Sequence, residues 1–172
     1  MDIYWVVSPS AANAVAPATL FLYAGGAALM TFEVIRLMHV EDDLDILEIA
    51  SLSIEMAGGF ELLQCENAAD ALRLAPEFMP DAMLFDMMLP NMSGVQLMSE
   101  IRLVSGFEIT PIIFMTARAQ PHERRELIEK GALDVIVKPF DPIALGDEIK
   151  AILAAAQGRL PRLLPVRPIL AD

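Results

Sequence analysis

A chain of 172 residues fits one domain comfortably and two only poorly. Twelve basic against twenty-four acidic side chains leave a net charge of -12. Such a chain is repelled by nucleic acid and by anionic lipid, because binding either relies on Lys and Arg neutralising phosphates, so direct DNA binding is disfavoured. The one cysteine, Cys65, rules out an internal disulfide, fits a reducing, cytoplasmic compartment and reads as a small buried hydrophobe.

From Glu33 onward, short β-like runs alternate with longer helical ones. "VIRLMHV" (Val34–Val40) predicts a strand, and a helix follows from about Leu44 to Met56. On that helix Leu47, Ala50, Ile54 and Ala57 share one face, while Asp45, Glu48 and Glu55 fall on another. "FELLQC" (Phe60–Cys65) predicts a second strand, and Asn67 with Asp70 opens a helix through "ALRLA". "DAMLFD" (Asp81–Asp86) is a third strand. Ser93 and Gln96 form a capping-box pair, starting a helix expected to end near Gly106. "PIIFMT" (Pro111–Thr116) is the fourth strand, and Pro121 suits the first turn of a helix running to Lys130, closed by Gly131. "DVIV" (Asp134–Val137) is the fifth strand, and Asp141-Pro142 caps a last helix reaching about Ala156.

Five strands alternating with five helices predict an α/β fold, a parallel sheet covered on both faces and doubly wound through right-handed crossovers. Ligands in such sheets bind outside the carboxyl ends of the strands, where strand order reverses. The chemistry-bearing residues gather at that edge: strand one ends in Glu41, Asp42 and Asp43, strand three in Asp86, strand four in Thr116, and strand five runs into Lys138. Two carboxylates about 4 Å apart repel by roughly 4 kcal/mol at an effective dielectric near 20. Several together need a cation beyond one lysine, and an oxygen-rich, partly hydrated acidic site suits Mg²⁺. The Lys138 ammonium and Thr116 hydroxyl are the kind of groups that hold a phosphoryl oxygen.

The set "VEDD", "LFDMMLPNMSG", "IIFMTA" and "VKPFDP", in this order and spacing, resembles the receiver domain of two-component response regulators over about Glu33 to Ala156. The resemblance implies a CheY-like, flavodoxin-like three-layer (βα)5 sandwich with strand order 2-1-3-4-5. It also implies that Asp86 is the phosphoacceptor, attacking a phosphohistidine to form an acyl phosphate. Asp42 would bind Mg²⁺ directly, Glu41 largely through water, and the Met88 backbone carbonyl would complete the protein ligands with Asp86. Lys138 would pair with the phosphoryl group and Thr116 would turn its hydroxyl toward it, while Pro90 and Gly94 shape the loop after the acceptor. Autodephosphorylation in the family is tuned two residues beyond the acceptor and two beyond the threonine. Met88 and Arg118 stand there and are poorly suited to placing a water, which implies slow hydrolysis. Where many receivers carry Tyr or Phe three residues before the lysine, this chain has Val135, which cannot make the aromatic's swing toward the output face.

Other polar residues have plainer roles. Asp43 reads as a helix N-cap, His39 as a core or edge residue and His122 as solvated. "HERRELIEK" reads as an exposed face with only Leu127 and Ile128 to bury, a face that in this family often meets partners. Methionines 87, 88 and 92 read as loop packing.

Residues 1–30 form an apolar extension, uncharged from Ile3 to Met30, ahead of a receiver over 31–156 and a Pro/Arg-containing tail over 157–172. Three readings of the extension stand together: an upstream segment from start-site choice, a helix packed on the domain or a partner, or a membrane anchor interrupted by Pro9, Pro17 and Gly25-Gly26. The prolines of the tail forbid a long helix and leave it as a possible partner-docking segment.

The chain therefore reads as a stand-alone receiver, phosphorylated on Asp86 by a sensor histidine kinase or histidine phosphotransfer protein and acting on a downstream protein target, with homodimerisation open. A degenerate receiver serving as a phosphorylation-independent interaction module is the alternative. A hydrolase using Asp86 for turnover lacks the second aspartate, because Met88 occupies its place.

Overall fold

A computed structural model describes residues 4–7, 19–24, 27–117 and 120–156, with side chains described from Val34 onward. Three strands come first: β1 (Tyr4–Val7), β2 (Thr19–Ala24) and β3 (Ala27–Glu33). They pair antiparallel in the order β1-β2-β3, so the packed-helix reading of the apolar extension gives way to a small sheet. The physical reason lies in composition, since valine, threonine and aromatic residues favour the extended backbone. Met30, the last residue of the apolar extension, pairs with Leu22 within that sheet. No described helix is long and apolar enough to cross a membrane.

The remaining elements alternate as expected: β4 (Ile35–Val40), α1 (Leu44–Ala57), β5 (Phe60–Cys65), α2 (Ala68–Phe78), β6 (Ala82–Asp86), α3 (Gly94–Ile101), β7 (Ile112–Thr116), α4 (Pro121–Glu129), β8 (Asp134–Val137) and α5 (Leu145–Ala156). Their five strands form one parallel sheet in the order β5-β4-β6-β7-β8. In receiver numbering this is 2-1-3-4-5, with the switch in strand order between β4 and β6.

Period-two alternation divides the core into two layers. Met38, Val40, Met83, Phe85, Ile112, Phe114 and Val135 point to the side covered by α2, α3 and α4. Leu37, Leu84, Ile113, Met115 and Ile136 point to the side covered by α1 and α5. Phe85 and Phe114 meet edge to face at 6.4 Å between ring centroids, joining the two central strands.

Caps set the helix starts. Asp43 accepts from the backbone N–H groups of Asp45 and Ile46, as its N-cap reading requires. Asn67 accepts from Asp70 N–H at 2.9 Å, and Ser93 and Gln96 cap each other reciprocally. Two expectations need correction. Helix α3 stops at Ile101, because Leu103 and Val104 donate to carbonyls three residues back and tighten the chain into turns before Gly106. On α4 only Leu127 is buried, while Ile128 is 44% exposed.

On α1 Leu47, Ala50, Ser53 and Ile54 are buried, and α5 packs beside them. Gly146 makes that approach possible, since a Cβ there would lie 2.5 Å from the Ala57 Cβ.

His39 is fully buried in the middle of β4. Its Nδ1 lies 3.3 Å from Gln64 Nε2, which also donates to the Leu47 carbonyl at 2.8 Å. Burial, and then the Lys138 charge, lowers the imidazole from 6.5 to about 3. The unfolded chain therefore takes up this proton first, so the stability is complete above pH 6.5 and is lost as pH falls toward 3. Relative to His39→Leu, urea denaturation should show the parent losing about 1.4 kcal/mol per pH unit below 6.5. A difference that does not change with pH would show that His39 titrates normally in the fold.

Candidate functional site

Strand register aligns the acidic and basic residues before any side chain is considered. Val40 pairs with Phe85, so Glu41 follows at the level of Asp86 on the other side of the switch point. Asp86 pairs with Met115, Thr116 with Val137, and Lys138 comes one step later. Parallel pairing thus brings residues 97 positions apart in sequence to one edge.

The Lys138 ammonium sits between two carboxylates. Its Nζ donates to Asp86 Oδ1 at 2.6 Å and, in a very short contact, to Glu41 Oε2. Glu41 and Asp86 are buried, and the Lys138 side chain is 14% exposed. Asp42 is exposed, yet it joins the other two acids: one carboxylate oxygen from each of Glu41, Asp42 and Asp86 lies within 4.8 Å of the others. Thr116 is buried at the end of β7, and its carbonyl accepts the Lys138 N–H at 2.8 Å, which fixes the strand from which the ammonium projects. The Lys138–Pro139 peptide bond is cis.

Asp86 is held from the loop as well. The Met88 N–H donates to Asp86 Oδ2, while the Met88 side chain is 80% exposed. Gly94 N–H donates to the Met87 carbonyl at 3.1 Å, folding the loop back under Asp86. A Cβ on Gly94 would lie 2.3 Å from the Asp86 carbonyl oxygen, so this loop closes only around glycine. Asn91 takes the left-handed conformation, φ 65°, that turns the chain between Pro90 and Ser93.

Charge in the site is unevenly compensated. Burial pushes the Glu41 carboxyl above its ordinary value, and its bond to Lys138 only partly offsets this. Burial also works against the Lys138 ammonium, but its hydrogen bonds to Asp86 and Glu41 prevail and raise its pKa. A raised lysine keeps its charge, and the stability it contributes, throughout the neutral range. A raised carboxylate instead marks a cost at neutral pH, which a cation would relieve. Three clustered acids with one lysine fit a hard divalent cation such as Mg²⁺, to which carboxylate oxygens are the natural donors.

Each predicted site residue lies at the carboxyl edge of the sheet or in a loop leaving it, apart from Arg118, which falls outside the described residues. Sequence reasoning did not foresee the Met88 N–H contact to Asp86 or the direct Glu41–Lys138 ion pair. The first depends on a loop turn and the second on a non-local approach, and neither has a sequence signal beyond the strand-end positions. Val135 is buried and paired with Phe114, within the layer that α2, α3 and α4 cover.

Known proteins share this fold. Residues 37–150 match the response regulator receiver domain. The chain belongs to this family. It is 35% identical over 118 residues to the phosphate regulon transcriptional regulatory protein PhoB of Escherichia coli, covering 69% of this chain and 51% of that protein. The identity to the transcriptional regulatory protein SrrA of Staphylococcus aureus is also 35%, over 71% of this chain and 49% of that one. The chain thus spans about half the length of these relatives. A putative response regulator from Chloroflexus aurantiacus superposes with a TM-score of 0.64 at 30% identity, covering 71% of this chain and 99% of that one. The chemotaxis response regulator CheY4 of Vibrio cholerae gives 0.64 at 26% identity, covering 69% and 98%. Receiver domains of this CheY-like family are phosphoacceptors in two-component signalling and bind Mg²⁺ at an acidic pocket.

Removing the lysine should expose the repulsion it offsets. Lys138→Met leaves Glu41 and Asp86 buried without their cation, at a cost of about 3 kcal/mol in chelator. Millimolar Mg²⁺ should restore much of that by binding only the folded state. Chemical denaturation with and without Mg²⁺ measures both, and an equal loss in the two conditions would mean that the acids do not share a cation site.

Proposed function

We propose that this receiver accepts a phosphoryl group on Asp86 from a histidine kinase or histidine phosphotransfer protein, and signals through contacts with a downstream protein. The observation that carries this reading is the Asp86 carboxylate itself, one oxygen bound by Lys138 and the other by the Met88 N–H, within reach of Glu41 and Asp42. A buried nucleophile so fixed on both sides is already oriented for attack.

In the proposed step an Asp86 carboxylate oxygen forms a bond to phosphorus while the phosphorus–nitrogen bond of the donor phosphohistidine breaks. The electron pair of that bond returns to the imidazole, which leaves and takes up a proton. Lys138 stays protonated and stabilises the negative charge on the phosphoryl oxygens. Thr116, at the end of the neighbouring strand, supplies a hydroxyl to the same group. Glu41, Asp42, Asp86 and the Met88 carbonyl are the candidate holders of Mg²⁺. The ion, when bound, offsets charge between the carboxylates and the incoming phosphoryl group.

The net charge of -12 favours protein partners over nucleic acid or an anionic membrane surface. We place the protein in the cytoplasm, where buried, free Cys65 stays reduced.

A second reading, an interaction module independent of phosphorylation, draws on Val135, which leaves the readout without the aromatic side chain usual at that position. Intact-mass spectrometry after incubation with Mg²⁺ and acetyl phosphate separates the two. The expected result is the gain of one phosphoryl group, lost in Asp86→Ala and abolished by chelator. No gain under conditions that label another receiver would overturn phosphoacceptance and leave the interaction module.

Dephosphorylation should be slow, because the apolar, exposed Met88 side chain cannot position an attacking water. The half-life of the labelled protein, followed by mass spectrometry, should be minutes or longer, and decay within seconds would refute this assignment.

A further inference from the structure

Helix α1 has two working faces. Its buried side packs on the sheet and on α5, as described, but Ile49, Leu52 and Met56 project outward at i, i+3 and i+7. They are 42%, 56% and 73% exposed, so they form an uncovered apolar ridge about two turns long. Glu48 and Glu55 lie along one flank of the ridge and Asp45 at its start, all exposed. The ridge therefore suits an occupant that is apolar and basic at once.

The sequence itself supplies such a segment after α5. Residues 157–172, "QGRLPRLLPVRPILAD", hold three of the chain's twelve basic side chains and only one of its twenty-four acidic ones. Apolar residues and prolines fill most of the rest. The segment follows α5, whose Lys150 Nζ donates to the Ala57 carbonyl at 2.6 Å, at the end of α1 next to Met56. From Lys150 to the start of the segment is about 10 Å along the helix. Sixteen residues can span at most about 50 Å in an extended, proline-type conformation, against about 10 Å from Met56 to Ile49. Proline restricts the free segment, so less entropy is lost on docking, and the covalent tether makes even a weak contact populated.

We propose that the exposed ridge of α1 is the docking surface for this chain's own segment 157–172. Leucine and proline side chains cover Ile49, Leu52 and Met56, and the arginines pair with Asp45, Glu48 and Glu55. The assignment does not depend on phosphorylation of Asp86.

Limited trypsin digestion of the full chain tests this, with release of the end of the chain followed by intact mass. Arg159 and Arg162 are each followed by leucine and are cleavable, whereas Arg167 precedes proline. Cleavage at Arg159 and Arg162 should be about tenfold slower than in a free peptide of the same residues. Leu52→Lys, at an exposed position, should leave the urea midpoint unchanged and return cleavage to the peptide rate. The double variant Glu48→Lys/Glu55→Lys should do the same, and high salt should speed cleavage in the parent. Cleavage of the parent at the peptide rate, or equal protection in Leu52→Lys, would overturn the proposal. Protection that grows with protein concentration would also overturn it, assigning the ridge to a second copy of the chain.

Discussion

One lysine between two buried carboxylates organises this molecule. Glu41, Asp86 and Lys138 come from three different strand ends, and each loses most of its water when the sheet forms. Carboxylates this close tolerate burial only with positive charge between them. The ammonium supplies part of it, and the raised Glu41 carboxyl marks what is still lacking. That deficit makes the edge receptive to a cation, at a place where Asp86 stands beside a group suited to phosphoryl oxygens.

The surrounding fold can be understood as support for that arrangement. Parallel pairing sets Glu41 level with Asp86, and the carbonyl of Thr116 fixes the backbone of Lys138. Gly94 lets the loop after β6 return close enough for the Met88 N–H to reach Asp86. Phe85 and Phe114, packed edge to face, stiffen the two strands that carry Asp86 and Thr116. Val135, a small buried side chain on β8, belongs to the same layer. His39 adds a buried imidazole just below the acidic edge, kept neutral by burial and by the nearby ammonium.

Local signals were sufficient for most elements. The five strands show in residue type and apolar runs, and the Asp43, Asn67 and Ser93 caps and the close of α4 at Gly131 rest on contacts within a few residues, which sequence order displays directly. The end of α3 is not legible in the sequence, because turn bonds of the 3₁₀ kind continue a helical pattern beyond Ile101. The exposure of Ile128 is not legible either, because periodicity gives the direction of a side chain and not what, if anything, covers it. The same gap explains Ile49, Leu52 and Met56: their spacing is plain in the sequence, and their exposure becomes known only once α5 is seen to cover the other side of α1.

By itself the sequence determined the alternation of strands and helices, the two-sided burial of a parallel sheet, and the placing of acids, threonine and lysine at strand ends, since these follow from period, cap and turn chemistry. Tertiary structure alone decided that Lys138 bonds both Glu41 and Asp86, that Asp42 stays exposed while its neighbour is buried, and that His39 loses all contact with water. Those outcomes depend on which strands become neighbours and in what register. Register is fixed by the packing of whole layers, because shifting a strand by one residue would move all of its side chains to the opposite face of the sheet, into the other layer.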